Sequence, residues 1–294
     1  ATAVFEMVGP KALVWPSFIL DPSVGILFGR ARGPFAESEA DGLVMAICSF
    51  ASMYGVTRFR SRWRIAAIVS TVLCVIGITL ALTRSVWLGA ALGVTIVAMM
   101  SPKLRRLFPL AVAGLVGTVA IALAVVPGLQ TLVSGRTADQ RSLWDRANTD
   151  AAALRIVSER PLSGVGWANF VHVARDWVLQ GSTYPITNID ISIHNVLLSR
   201  AAELGVFGAL FTALALVYGP GIAVFRRQEG ERESWRRLLI ATAACVGVSA
   251  MLSPLPYPLV NLLLWLFTGI VMAQYQTIVD EDTVRAEEKE PAFA

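Results

Sequence analysis

Seven apolar runs divide the chain, and charged or proline-containing segments separate them. The runs cover residues 41–56, 65–82, 86–100, 107–126, 196–225, 238–252 and 259–273, and the span within the fifth run is expected from Leu204 onward. A membrane-spanning helix needs about 20 mainly apolar residues, with a range of about 17–25. The pattern therefore predicts an all-α polytopic membrane protein with about seven transmembrane helices.

The longest polar segment lies between the fourth and fifth runs, from Pro127 to Ile193. Within it, apolar residues recur at helical spacing from Asp139 to Arg160, which predicts an amphipathic helix on the outer leaflet that ends before Pro161. We expect five regions in chain order: an extracytoplasmic loop segment (1–40), four transmembrane helices (41–126), a large extracytoplasmic loop (127–193), three transmembrane helices (194–275) and a disordered cytoplasmic tail (276–294).

Basic residues are distributed unevenly among the short connections. Those after the first, third and fifth runs hold four, three and five Lys or Arg residues, whereas those after the second and sixth hold one and none. Because short cytoplasmic loops carry an excess of Lys and Arg, the first set is expected in the cytoplasm. Arg84, the long polar segment and the turn that follows Leu252 are then expected outside.

Composition agrees with a membrane protein and excludes several kinds of site. Only 16% of the residues are charged, against roughly 25% in a typical soluble domain. All three cysteines lie inside apolar runs and the chain has two histidines, so we expect no disulfide framework, no metal site and no cofactor. No nucleic-acid partner is expected.

His194 and Asn195 stand where the long polar segment gives way to an apolar run. A histidine at the first turn of a membrane helix lies at the boundary between water and lipid, beside free backbone N–H groups and the positive end of the helix dipole. That position suits a base that works next to an anionic ligand. The alternative is a structural interfacial histidine. We expect Asn195 to cap the helix, and Gly205 and Gly208 to allow close packing between helices.

Arginines on the outer side supply candidates for anion binding. Arg84 lies between two short apolar runs and needs an anionic partner, either a ligand or the phosphates of the surrounding lipid. Arg141 precedes the apolar face of the amphipathic helix, where it reaches either anionic groups or solvent. For Arg146, Arg155 and Arg160 we favour a solvated basic face.

These segments also resemble a known family. His194-Asn195, nine residues, and then Gly205 to Gly208 match the H-N-x9-G-x-x-G pattern of the O-antigen ligase and polymerase family. The stretches RARGPFAESEADG, TRSVWLGAALG, RTADQRSLWDRA and RPLSGVGWANF resemble further segments of that family in the same order. Since its members usually have about a dozen spans, the chain looks like the C-terminal part of a twelve-span GT-C fold, with five spans expected upstream.

The resemblance implies a metal-independent inverting glycosyltransferase in the bacterial cytoplasmic membrane. Such an enzyme moves a glycan from undecaprenyl diphosphate to a hydroxyl of a glycan, lipid or protein acceptor outside the membrane, and its other partners are membrane lipids. By resemblance, His194 is the catalytic base, and Arg84 and Arg141 bind the diphosphate. Asn195 and Arg136 are further candidates for contacts with donor or acceptor.

Other functions stay open at this point. A polymerase of lipid-linked polysaccharide repeats would use the same residues. A peptidoglycan polymerase would depend on an outer-loop aspartate, for which the chain offers Asp139, Asp145, Asp150, Asp176 and Asp190. A glycolipid transporter or flippase would carry paired charges near the middle of the membrane, which these runs lack.

Overall fold

The computed structural model describes the backbone of residues 2–7, 9–21, 23–24, 30–100, 102–125, 128–138, 141–179, 185, 188, 190–227, 230–255 and 257–289. Across these ranges the regular structure is all helical, with no strand, which confirms the predicted all-α class. The α-helices are α1 (Thr2–Met7), α2 (Ser38–Arg58), α3 (Ser61–Leu80), α4 (Arg84–Met100), α5 (Pro102–Val125), α6 (Leu129–Ala138), α7 (Arg141–Glu159), α8 (Phe170–Trp177), α9 (Val196–Leu216), α10 (Ile222–Phe225), α11 (Gly230–Leu252) and α12 (Pro258–Lys289).

The apolar runs lie largely in helices, although the second run ends two residues beyond α3, and the fifth covers α9, a π-helical segment at Val217–Gly221 and α10. By length and composition, four helical segments of the described chain can cross a membrane: Ser38–Arg58, Ser61–Leu80, Val196–Phe225 and Arg232–Leu252. Three shorter apolar helices lie at Arg84–Met100, Val112–Val125 and Pro258–Ala273. The chain therefore has the helices of a membrane protein, and the count of seven spans remains a prediction.

The bundle is built on the packing of α2 against α3 and of α4 against α11. Its core joins residues of α2, α4, α11 and α12, among them the fully buried Leu43, Val86 and Leu239. Gly89 and Gly93 let the backbone of α11 approach α4, because a Cβ at either position would lie 2.7 Å from a carbonyl oxygen of α11. This close contact fixes where α4 begins relative to α11.

The long polar segment folds into α6, α7 and α8, and α7 confirms the helix predicted there. The buried face of α7 differs from the predicted apolar face. Ala152, Ala153 and Ile156 are fully buried in a second core with Phe170 of α8 and Ala202 of α9. The predicted face includes Leu143 and Leu154, which are exposed, and its contact with the outer leaflet stays a prediction.

The charged end of the chain also differs from expectation. Helix α12 continues to Lys289, through most of the segment that we expected to be disordered. Residues 290–294 lie outside the described part. Glu, Lys, Arg and Ala are strong helix formers, so a helix that begins in the apolar run can extend through them.

Candidate functional site

A cavity of about 740 Å³ opens at the end of the bundle where α2, α4 and α12 begin. Its walls come from these helix starts, from the start of α7, from the connection between α11 and α12, and from the residues that precede α9. Helix α2 runs from this cavity to Arg58, where the first arginine-rich connection begins. The cavity and that basic connection therefore lie at opposite ends of the bundle.

His194 lines the cavity from the segment that leads into α9. Asn195 is the N-cap of α9, and its Oδ1 accepts a 3.0 Å hydrogen bond from the Leu198 N–H, as the capping prediction requires. His194 therefore lies just before the helix and not in its first turn. Burial, and then the nearby Arg146 guanidinium, lowers the pKa of His194 to about 4. The ring is neutral at pH 7, which is the form that accepts a proton.

Arg84 and Arg141 line the same cavity. Each is the first residue of its helix, Arg84 in α4 and Arg141 in α7. Free backbone N–H groups and the positive end of the dipole add to the guanidinium charge at such positions. The fold thus brings together the three residues singled out from the sequence, with two helix starts suited to an anion.

The two secondary candidates are placed differently. Asn195 acts as a cap, and the residues found to line the cavity do not include it. Arg136 belongs to α6, but its side chain lies outside the described residues. His172, the other histidine, is exposed on α8.

Arg146 lines the cavity, whereas its position in the sequence predicts a solvated basic face. It is half-buried and close enough to affect the ionisation of both His194 and Glu39. No spacing in the sequence separates Arg146 from Arg155 and Arg160. Only the packing of α7 against its neighbours turns this one arginine towards the cavity.

A pair of carboxylates forms another part of the wall that sequence reasoning missed. Glu37 and Glu39 lie at the start of α2, and the Tyr257 hydroxyl donates a 2.6 Å hydrogen bond to Glu37 and lies 3.4 Å from a carboxylate oxygen of Glu39. The Ser85 hydroxyl donates to Glu39 at 2.9 Å, beside Arg84. Burial, and then the neighbouring carboxylates, raises the pKa of Tyr257, so its hydroxyl remains a donor.

Gly205 holds the helix that follows His194 in place. Its φ of 74° and ψ of −178° interrupt α9, and there the Val206 N–H donates a 2.7 Å hydrogen bond to the Pro161 carbonyl. A Cβ on Gly205 would collide with the Leu162 carbonyl oxygen, so only glycine fits. We had expected packing between helices. Gly205 instead meets the loop after α7, and a Cβ on Gly208 would collide with Leu204 of its own helix.

The loop after α7 also donates hydrogen bonds to α9 just before the break at Gly205. Val165 and Gly166 donate hydrogen bonds of 3.0 and 2.9 Å to the carbonyls of Ala202 and Glu203, in the last turn before the break. The carbonyls that a broken helix leaves without partners are thereby satisfied. In the H-N-x9-G-x-x-G pattern, Gly205 thus allows the loop after α7 to hydrogen-bond to α9, and His194 lines the cavity.

Side chains that can bind a metal ion do not form groups in the described part of the chain. No group of three or more His, Cys, Asp or Glu side chains there could hold a metal ion. The charged groups that line the cavity include guanidinium groups at helix starts and carboxylates.

Comparison with known proteins gives one match. Residues 69–213 match the family model described as "O-Antigen ligase". The matched segment runs from α3 into α9, so it includes Arg84, Arg141, His194 and Gly205. Searches of curated proteins and of solved structures gave no match. About half of the chain, residues 69–213, is therefore similar to the O-antigen ligase domain.

Proposed function

We propose that this chain is a metal-independent inverting glycosyltransferase that moves a glycan from undecaprenyl diphosphate to an acceptor hydroxyl on the outer face of the bacterial cytoplasmic membrane. The O-antigen ligase domain supports a ligase- or polymerase-type function in general. The observation that carries the finer proposal is the single cavity lined by Arg84, Arg141 and His194. A base beside guanidinium groups is what transfer from a diphosphate carrier requires.

In the proposed reaction, neutral His194 accepts the proton of the acceptor hydroxyl while that oxygen attacks the anomeric carbon. The attack comes from the face opposite the diphosphate, so the configuration of the carbon inverts. One C–O bond forms to the acceptor and the C–O bond to the diphosphate breaks, and its electrons leave with undecaprenyl diphosphate. A general base of this kind contributes about 10²- to 10⁴-fold to the rate.

Arg84 and Arg141 bind the diphosphate in this proposal. Guanidinium groups hold phosphate oxygens through paired hydrogen bonds, and they stabilise the charge that grows on the leaving group. Two helix starts add backbone dipoles to the same region. These positive groups supply the stabilisation that a metal ion would otherwise provide.

A second cavity of about 690 Å³ supports a lipid-linked donor. It lies among α2, α3, α4 and α5, and its lining is mainly apolar, with Phe50, Val75 and Trp87 among the lining residues. Cavities of roughly 300–1,000 Å³ are typical ligand sites. We infer that part of the hydrocarbon chain of the donor packs there.

The distribution of arginines supports an outward-facing site. The basic connection after α2 lies at the end of the bundle opposite the polar cavity. Since short basic loops stay in the cytoplasm, the cavity faces outwards. Donor and acceptor would meet there, in the outer leaflet of the cytoplasmic membrane.

A transfer assay with labelled lipid-linked glycan tests the proposal. We expect glycosylated acceptor and free undecaprenyl diphosphate to form in equal amounts. Movement of intact donor across the membrane, with no free lipid diphosphate, would favour a transporter instead. The length of the product separates the ligase from the polymerase, because only a polymerase extends one lipid-linked glycan with another.

One observation keeps an aspartate-dependent polymerase as a second candidate. Asp145 and Asp190, two of the five outer-loop aspartates, line the same cavity. If transfer is lost in Asp145→Asn or Asp190→Asn but kept in His194→Ala, the aspartate mechanism replaces the histidine mechanism.

A further inference from the structure

We propose that Glu37, Ser38 and Glu39 form a subsite that binds the acceptor as a neutral sugar, through its hydroxyl groups. The inference rests on the proposed function, since it names what one wall of the same cavity binds. All three residues line that cavity, at the start of α2. They are referred to below as the α2 subsite.

The contacts of Tyr257 show how this wall receives a hydroxyl. Its O–H donates to Glu37 at 2.6 Å and lies 3.4 Å from Glu39, so one hydroxyl lies between two carboxylates. An ionised carboxylate offers about four lone-pair positions, and the contacts to Tyr257 and Ser85 occupy only some of them. The remaining positions suit the neighbouring hydroxyl groups of a sugar ring.

Ser38 supplies an independent indication that a ligand binds here. Its side chain is 1% exposed, and its Oγ has no hydrogen-bond partner within the described part of the chain. Buried hydroxyls are normally hydrogen-bonded, so such a group in a cavity wall calls for a partner. A sugar hydroxyl held between Glu37 and Glu39 would provide it.

The charge of the wall excludes the diphosphate as its ligand. Two carboxylates repel an anion, which is attracted instead to Arg84 and Arg141 at the starts of α4 and α7. Arg146 interacts electrostatically with both Glu39 and His194, and all three residues line the same cavity. A sugar on the α2 subsite would therefore have its hydroxyls near His194.

The α2 subsite lies outside the residues that match the family model, which begin at 69 and end at 213. Glu37 and Glu39 belong to the stretch RARGPFAESEADG, which resembles a further segment of that family. The proposed role of these carboxylates therefore rests on their contacts in the cavity wall and not on the family match.

Binding experiments test the subsite independently of catalysis. The full chain, in nanodiscs of phosphatidylethanolamine and phosphatidylglycerol, is mixed with a panel of methyl glycosides or with inorganic pyrophosphate, and binding is followed by saturation-transfer NMR and by titration. We expect Glu37→Gln with Glu39→Gln to weaken glycoside binding at least about tenfold and to leave pyrophosphate binding intact. Arg84→Ala with Arg141→Ala should do the reverse. Asp176→Asn, an exposed carboxylate on α8, is the control and should change neither.

Ser38→Ala covers the case in which the double variant fails to fold. It removes one hydroxyl and leaves the contacts of Tyr257 and Ser85 in place, and it should weaken glycoside binding several-fold with an unchanged melting temperature. Glycoside binding that is absent from the wild type, or equal in Ser38→Ala and wild type, would overturn the subsite. A wild type that binds glycosides through these residues but transfers no glycan would refute the proposed function alone.

Transfer kinetics then separate acceptor from donor. In Ser38→Ala, the KM for the acceptor should rise several-fold while the KM for the lipid-linked donor stays constant. A rise in the donor KM alone would assign these hydroxyl contacts to the donor glycan, and it would overturn the acceptor assignment.

Discussion

The Tyr257 hydroxyl donates a 2.6 Å hydrogen bond to Glu37, a residue 220 positions earlier in the chain. This contact joins the turn between α11 and α12 to the start of α2, and so closes one wall of the cavity. Because Glu39 lies 3.4 Å from the same oxygen, one hydroxyl separates two carboxylates. The Tyr257 hydroxyl thus lies within reach of both carboxylates of this wall.

Removing that group should destabilise the fold at neutral pH. In Tyr257→Phe the carboxylates of Glu37 and Glu39 lose their shared donor, and a hydrogen bond to a charged group contributes about 1.5–3 kcal/mol. Thermal unfolding in detergent should therefore show a lower melting temperature. Tyr218→Phe, at an exposed tyrosine beyond α9, is the control and should match the wild type. Equal melting temperatures for the two variants would mean that the contact is dispensable.

Gly205→Ala should be strongly destabilising. Alanine disfavours the φ of 74°, and its Cβ would collide with the Leu162 carbonyl oxygen, so we expect a loss of at least about 2 kcal/mol in the free energy of unfolding. Gly247→Ala provides the matched control in α11, where no atom lies within 4 Å of the added Cβ. It should be neutral or slightly stabilising. If the Gly205→Ala protein is as stable as the control, the contact between α9 and the loop after α7 does not require glycine at this position.

The pH dependence of transfer should report on Arg146. Since the pKa of His194 is lowered to about 4, the active neutral ring is present above that pH, and kcat/KM should fall as the pH drops through it. Arg146→Gln removes one cause of the lowering, so the acid limb should move to higher pH. Arg160→Gln, at an exposed position just after α7, should leave the limb in place. If the acid limb of the kcat/KM profile is unchanged or moves to lower pH in Arg146→Gln, Arg146 does not lower the pKa of His194.

Replacement of the two candidate diphosphate ligands should weaken donor binding. Arg84→Ala and Arg141→Ala each remove charge-assisted hydrogen bonds worth about 1.5–3 kcal/mol, which corresponds to roughly a 10- to 150-fold loss in affinity for inorganic pyrophosphate. Titration of the purified protein measures this loss. Arg175→Ala, an exposed arginine 3.7 Å from Asp190, should bind pyrophosphate like the wild type. If all three variants bind alike, the anion site lies elsewhere.

The sequence predicted those features that short-range patterns encode. The apolar runs form helices, and Asn195 caps α9. His194 and Arg84 were recognisable because an ionisable group at the end of an apolar run is costly unless it has a partner or a function. Their meeting in one cavity depends on the packing of the bundle.

Features that depend on distant contacts could not be predicted in the same way. Glu37 and Glu39 look like ordinary acidic residues at a helix start, and only the fold brings Tyr257 to them. Arg146 looks like the other arginines of α7 until the helix is packed. The spacing predicted the helix α7, but which of its residues protein buries, here Ala152, Ala153 and Ile156, depends on how the helices pack.

The most direct test of the account is the rate of glycan transfer by His194→Ala, measured with labelled lipid-linked donor beside His172→Ala. We predict at least a roughly 10²-fold loss of transfer in His194→Ala with unchanged affinity for inorganic pyrophosphate, because the base is lost while the arginines remain. His172→Ala, at an exposed ring on α8, should transfer at the wild-type rate. Wild-type transfer by His194→Ala would show that this ring does not take the proton from the acceptor.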